Sequence, residues 1–134
     1  KEALLADLAT EEVRGLLAHS YPLLGKQRPS NSLHEMCVYV QARRTLWKSL
    51  LTTGAASAMR EEFARISAEI GETGPRSNPW LPVSLASALV AAGIFEILAW
   101  WLAQPDDYPM QNIETFLDRL VARPTARAQD VKLV

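Results

Sequence analysis

The segment LPVSLASALVAAGIFEILAWWLA, residues 81–103, carries one charged residue in its interior, Glu96. Its apolar side chains occupy nearly every side of a helix, whereas an ordinary surface helix has a single apolar stripe. A helix that is apolar all round is buried all round in its final environment. The segment therefore predicts a long α-helix that packs against its own domain on one side and against a further surface on the other.

A lipid bilayer is one environment that suits this segment. At 1.5 Å per residue the helix is long enough to cross a hydrocarbon layer of ~30 Å. A charge in the middle of a membrane helix is costly, however, and the residues that follow, QPDDYP, are acidic where a membrane protein favours Lys and Arg. We therefore expect no membrane, and we favour burial of the helix by protein.

The rest of the chain also shows helical spacing of apolar residues, and alternating β-type runs are missing. We predict helices from Lys1 to about His19, from Ser32 to Gly54, from Ala55 to Ile70, from Leu81 to Ala103, and along a stripe from Ile113 to Val121. Pro22 and Pro124 end the first and last of these, Ser32 and Glu35 have capping-box spacing, and residues 21–31 and 71–79 are rich in turn formers. The pattern predicts an all-α domain, an orthogonal bundle of about five helices over residues 1–123, with a frayed tail over residues 124–134.

Composition limits the classes of function. The chain has 134 residues, 49% of them hydrophobic, which suits one globular domain. A net charge of -1 provides no basic excess for binding phosphates, so this chain alone is a poor nucleic-acid binder. A single cysteine, Cys37, excludes an internal disulfide and fits a reducing compartment, so we expect a cytoplasmic protein. The opening KEALLADL has no Met and no secretory signal, and we interpret the chain as a fragment.

The long helix and the last helix have more apolar surface than a small domain encloses. If they pair with their symmetry mates about a two-fold axis, the surplus is buried in a four-helix interface. The sequence thus predicts a homodimer. The candidate interface residues form ridges on these two helices: Val90, Ile94, Ile97, Trp101, Ile113, Phe116, Leu117 and Leu120.

Catalytic signatures are missing from the sequence. It contains no G-x-S-x-G motif, no Gly-rich phosphate loop and no paired-His motif, so we expect no enzyme and no cofactor. His34 and Cys37 share a helical face, and with His19 they would make a minimal metal constellation. Because Cys37 lies in an apolar stripe, we favour a core position for it over metal binding or redox sensing.

Polar residues within the apolar stripes are the better indication of a site. Arg44 lies inside the stripe of the second helix and Arg43 borders it, so each guanidinium needs a partner. An ion pair with Glu96 is one interpretation, and a ligand contact is the other. The candidate lining of a ligand pocket, each member of which also fits ordinary core packing, is Tyr39, Arg43, Trp47, Phe63, Glu96 and Trp100.

Three stretches resemble the TetR family of transcriptional regulators. KEALLADL resembles the start of the helix that follows the family's helix-turn-helix, and ARRTLWKSLLTTGAASAMREEFARI is similar to its central helix, turn and following helix. GIFEILAWWLAQPDDYPMQNIETFLDRLV is similar to the last two helices of one subgroup. The resemblance covers nearly all of Lys1 to Arg123. It implies an all-helical ligand-binding and dimerisation domain whose last two long helices form the dimer interface.

The chain departs from the family pattern in two ways. The helix-turn-helix is missing, so operator DNA would be contacted only through an N-terminal domain outside this chain. Tyr108 precedes Pro109 where relatives often place Ser or Thr, which leaves the helix cap to Asp106 or Asp107. We expect a regulatory domain that binds a small, largely apolar effector and dimerises to control DNA binding by that absent domain. The alternative is a helical dimerisation or scaffold module without a ligand.

Overall fold

The computed structural model describes residues 2–24, 29–73 and 76–134, and these form helices and no strands. The helices are α1 (Glu2–Leu24), α2 (Pro29–Ala42), α3 (Arg44–Leu51), α4 (Ala55–Thr73), α5 (Val83–Leu102), α6 (Met110–Leu117), a π-helical segment (Asp118–Ala122) and α7 (Arg123–Ala126). The predicted all-α class is confirmed. The bundle forms because α1 packs against α2 and α4, while α5 packs against α3, α4 and α6.

An aromatic stack holds the centre of the bundle together. The ring of Trp47 from α3 is parallel to that of Phe95 from α5, with centroids 6.1 Å apart, and Phe63 from α4 meets Phe95 edge-on at 5.5 Å. All three side chains are buried. Such aromatic pairs add to the stabilisation from apolar burial, so the stack ties α3 and α4 to the inner face of α5.

The first helix is longer than predicted. Pro22 was expected to end it near His19, but α1 continues through Leu24. Proline disrupts a helix interior, but Pro22 lies in the last turn of α1, so the helix continues only two residues beyond it. The predicted loop over residues 21–31 is helical at both ends, and its residues 25–28 lie outside the described part of the chain.

The second predicted helix begins earlier and is divided in two. It starts at Pro29, a favourable first residue because the missing N–H of proline has no helical partner there. Ser32 therefore lies inside α2 and Glu35 contacts His19, so the predicted capping box is wrong. At Arg43 the backbone leaves the helix, and its N–H donates to the Val40 carbonyl, three residues back, before α3 begins.

The bounds of α4 and α5 agree with the sequence to within three residues at each end. Of the predicted loop over residues 71–79, residues 76–79 are non-helical, and residues 74–75 lie outside the described part. The N-terminus of α6 differs from prediction, because no side chain caps it and Asp106 pairs with Arg44 instead. The cap expected from Asp106 or Asp107 is therefore wrong.

The C-terminal segment is more ordered than predicted. The helical path continues from the π-helical segment into α7, which contains Pro124, and the Thr125 hydroxyl donates to the carbonyl of Val121 at 2.7 Å. The Asn78 amide donates to the carbonyls of Thr125 and Arg127, and its oxygen accepts from the backbone N–H of Gln129. The predicted fraying of residues 124–134 thus does not apply to residues 124–129.

Candidate ligand-binding site

An apolar cavity of about 220 Å³ lies between α2, α4, α5 and the π-helical segment. Its apolar lining includes Leu33, Met36, Phe63, Val90, Ile94, Leu117 and Val121. Three hydroxyl-bearing residues also belong to its lining, Ser20, Ser32 and Thr125. Within the described part of the chain its lining holds no charged residue. Cavities of this kind, apolar with a few polar groups, are the usual form of small-molecule sites in helical proteins.

The three hydroxyl groups differ in their hydrogen bonding. Ser20 donates to the carbonyl of Leu16 at 2.7 Å, and Thr125 donates to the carbonyl of Val121. Ser32 is 2% exposed, and its hydroxyl has no hydrogen-bond partner among the described residues. A buried, unpaired polar group costs about 1–3 kcal/mol. Ser32 is therefore the one hydroxyl of the described lining that a ligand would satisfy.

Of the six residues predicted to line a ligand pocket, Phe63 reaches this cavity. Tyr39, Arg43 and Trp47 form a separate cluster with Glu12 of α1. The Arg43 guanidinium lies 3.9 Å from the centroid of the Tyr39 ring, and Trp47 Nε1 donates to Glu12 Oε1 at 3.0 Å. Arg43 Nε lies 3.5 Å from the same carboxylate oxygen. The polar groups of this cluster pair with one another, and its rings fill the space between them.

The ionisation of Tyr39 follows from this cluster. Burial, and then the nearby negative charge of Glu12, raises the pKa of the Tyr39 phenol, while Arg43 lowers it by a smaller amount. The phenol therefore stays protonated at neutral pH. A neutral ring beneath a guanidinium is a cation–π contact, which suits a structural role for Tyr39 and Arg43.

Glu96 and Trp100 lie on the exposed side of α5, away from the cavity. Trp100 is 46% exposed and meets the rings of Tyr108 and Phe116 edge-on. The predicted ion pair between Glu96 and Arg44 is wrong. Sequence spacing placed both residues in apolar stripes, but the turn after α5 brings a different set of acceptors to Arg44.

Arg44 binds the C-terminal end of α5. Its Nε donates to Asp106 Oδ1 at 3.0 Å, and its Nη2 donates to the backbone carbonyl of Gln104 at 2.9 Å. The last carbonyls of a helix lack helical partners and carry partial negative charge, so a guanidinium is favourable there. Arg44 therefore fixes the start of the turn that leads from α5 to α6.

The eight predicted interface residues fall into two groups. Ile94, Trp101, Ile113 and Leu117 are buried in the protomer's own core, so a second chain would not contact them directly. Leu120, by contrast, is 67% exposed. The remaining three are partly buried: Val90, Ile97 and Phe116. The ridge spacing groups side chains by helix face, but an all-apolar helix gives no signal for which face turns inward.

The face of α5 that is exposed is also largely apolar. We call it the outer face, and it consists of Leu85, Ala88, Leu89, Ala92, Glu96 and Trp100. By length and composition α5 is able to cross a membrane, yet only 28% of its most apolar window is buried in this chain. A core helix of a soluble domain is mostly buried. Among the residues that the structure describes, none therefore covers the apolar outer face.

The residues considered for metal binding or redox chemistry are engaged elsewhere. His19 contacts Glu35 at 3.0 Å and His34 contacts Glu114 at 3.1 Å. Burial, with a further contribution from Glu114, raises the pKa of the Cys37 thiol to about 12. A thiol that stays protonated is a poor nucleophile and a poor metal ligand. Across residues 2–24, 29–73 and 76–134, no three His, Cys, Asp or Glu residues form a group able to hold a metal ion.

Comparison with known proteins gave no relative: no family model, no curated protein and no solved structure matches the chain.

Proposed function

We propose that this chain is the effector-binding and dimerisation domain of a TetR-type transcriptional regulator. The observation that carries the proposal is the apolar cavity between α2, α4 and α5, with one buried hydroxyl, that of Ser32, left without a partner. A solid helical scaffold gains nothing from such a cavity, whereas a sensor of small apolar molecules requires one. The resemblance of the sequence to the family supplies the regulatory role.

α1 offers a route from the cavity to a DNA-binding domain. Ser20 brings the C-terminal part of α1 to the cavity, and in the family the corresponding helix begins where the DNA-binding domain ends. Leu4, Leu5 and Leu8, near the start of α1, are exposed. These leucines suit an apolar contact with a preceding domain. An effector that favours one position of α1 by about 1–3 kcal/mol would change operator affinity by a matching factor.

The outer face of α5 is proposed as the centre of the dimer interface. A second copy presents the same apolar residues, so a two-fold axis buries both faces at once. Leu120 of the π-helical segment extends the apolar surface beyond α5. Lipid is a poorer cover, because the charge of Glu96 would cost several kcal/mol in hydrocarbon, whereas the polar rim of a protein interface keeps such a carboxylate hydrated.

The test of this function uses the full-length regulator and an operator DNA selected by it. Apolar small molecules are screened by thermal shift, since a ligand of the native state raises the unfolding temperature. A binding compound is expected to change operator affinity by roughly 5- to 150-fold. Val90→Phe fills part of the cavity and should abolish this response. Leu133→Phe, a change at an exposed leucine of the C-terminal tail outside both the cavity and the outer face, should retain it. A compound that binds but leaves operator affinity unchanged would contradict the regulatory role.

A helical scaffold without a ligand is the second candidate. It is favoured by the cluster of Tyr39, Arg43 and Trp47, which fills the region where the sequence predicted a pocket. The same thermal-shift screen separates the two functions. In a scaffold no apolar compound raises the unfolding temperature, and Val90→Phe changes no binding property.

A further inference from the structure

We infer that the cavity takes an uncharged ligand of about nine heavy atoms whose single hydrogen-bonding group meets the hydroxyl of Ser32. This inference rests on the proposed function and specifies its effector by chemical class. Alkyl-substituted phenols have this chemistry.

The size of the ligand follows from the volume of the cavity. An apolar protein cavity of about 150 Å³ is known to hold benzene. In proportion, a cavity of about 220 Å³ holds a molecule about half as large again, which corresponds to roughly nine heavy atoms. The cavity is partly open, so a longer molecule would extend beyond the lining residues and its extra length would add little apolar burial.

The neutrality of the ligand follows from the lining. The described lining residues are apolar or carry hydroxyl groups, and none provides an opposite charge. An ionised carboxylate or ammonium group would lose its hydration without gaining an ion pair, which is a large cost. The cavity therefore discriminates between the charged and the neutral member of a pair of similar ligands.

The position of the polar group follows from the hydrogen bonds of the three hydroxyls. Ser20 and Thr125 already donate their protons to backbone carbonyls. Ser32 keeps both its proton and its lone pairs available, so it serves a ligand that donates, accepts or does both. A phenol or alcohol matches this capacity with one group, which leaves the rest of the molecule apolar.

The experiment is calorimetric titration of the chain with four probes at pH 7. 4-Ethylphenol and propylbenzene match the cavity in size, 4-methylbenzoate is charged, and 4-hexylphenol is too long. We expect the first two to bind, 4-methylbenzoate not to bind, and 4-hexylphenol to bind no more tightly than 4-ethylphenol despite its larger apolar area. Ser32→Ala should weaken the binding of 4-ethylphenol by about fivefold, because the net contribution of one hydrogen bond is modest. The affinity for propylbenzene should change by less than about twofold.

Ser20→Ala is the matched control, since it removes a hydroxyl of the same cavity whose proton is already used. It should leave the preference for 4-ethylphenol unchanged. Ser32→Ala should fold normally, with an unfolding temperature equal to or above that of the parent, because it removes an unpaired buried group.

Equal effects of Ser32→Ala on both size-matched probes, or tight binding of 4-methylbenzoate, would overturn the inference. Failure of every probe to bind would overturn it as well. The proposed function would survive that failure if another compound changed operator affinity and Val90→Phe abolished the change. It would fall with the inference if no compound did so.

Discussion

Gly15 of α1 lies where the helix passes closest to the Tyr39 side chain of α2. A Cβ atom built at Gly15 would overlap the Tyr39 hydroxyl oxygen and come within 3.1 Å of the ring carbon that bears it. Tyr39 also supports the Arg43 guanidinium above its ring. The absence of a side chain at position 15 therefore lets α1 and α2 pack together without moving this cluster.

Gly15→Ala should destabilise the fold by about 1 kcal/mol, since overpacking costs ~1–3 kcal/mol and alanine's better helix propensity returns about 1. Tyr39→Phe removes the hydroxyl that the new methyl group meets, so the double variant should recover most of the loss. Urea unfolding measures each free energy. Gly54→Ala is the control, because nothing lies within 4 Å of its Cβ position. Equal effects of Gly15→Ala and Gly54→Ala would contradict the close approach.

Among the elements, α3 is joined to the C-terminal end of α5 by the hydrogen bonds of one side chain, that of Arg44. The Arg44 Nη2 donates to the Trp101, Leu102 and Gln104 carbonyls at 3.4, 3.5 and 2.9 Å. The Arg44 side chain is mostly buried, whereas its neighbour Arg43 is about half exposed. The two adjacent arginines thus offer the same chemical group in two environments.

Arg44→Met should lower the free energy of unfolding by about 2–3 kcal/mol, because hydrogen bonds to charged groups are strong and buried carbonyls would lose their donor. Arg43→Met, which breaks an exposed ion pair and a cation–π contact, should cost less than about 1 kcal/mol. Thermal and chemical unfolding of the two variants give the comparison. If Arg43→Met proved the more damaging change, Arg44 would not be the link between α3 and α5.

Helix boundaries were predictable where local signals decide them. Pro82 and the turn formers before it mark the start of α5, and Gly54 marks the interval before α4. Pro29 is a local signal for the early start of α2 that the sequence prediction did not use. The acceptors of Arg44 were not predictable, because they lie about 60 residues away in the sequence. The partner of Arg44 is Asp106, which only the turn after α5 brings into reach.

At the scale of the whole molecule, α5 is apolar all round because its two sides meet different surroundings. Its inner side supplies Phe95 and Leu98 to the core, and its outer face exposes Leu85, Leu89 and Trp100. The sequence indicated both sides but not their orientation, so four core residues were assigned to the interface. The cavity was less predictable still. It is formed by residues from several helices, and of the residues predicted to line a site only Phe63 reaches it.

The mass of the chain in solution, measured by light scattering over a concentration series without detergent, tests whether a second copy covers the outer face. We expect a dimer that persists to low micromolar concentration. Leu120→Glu should dissociate it, whereas Leu133→Glu, a change at a leucine of nearly equal exposure (67% and 64%) in the C-terminal tail, should not. A parent chain that is monomeric at every concentration would contradict the proposed interface and, with it, the dimeric regulator.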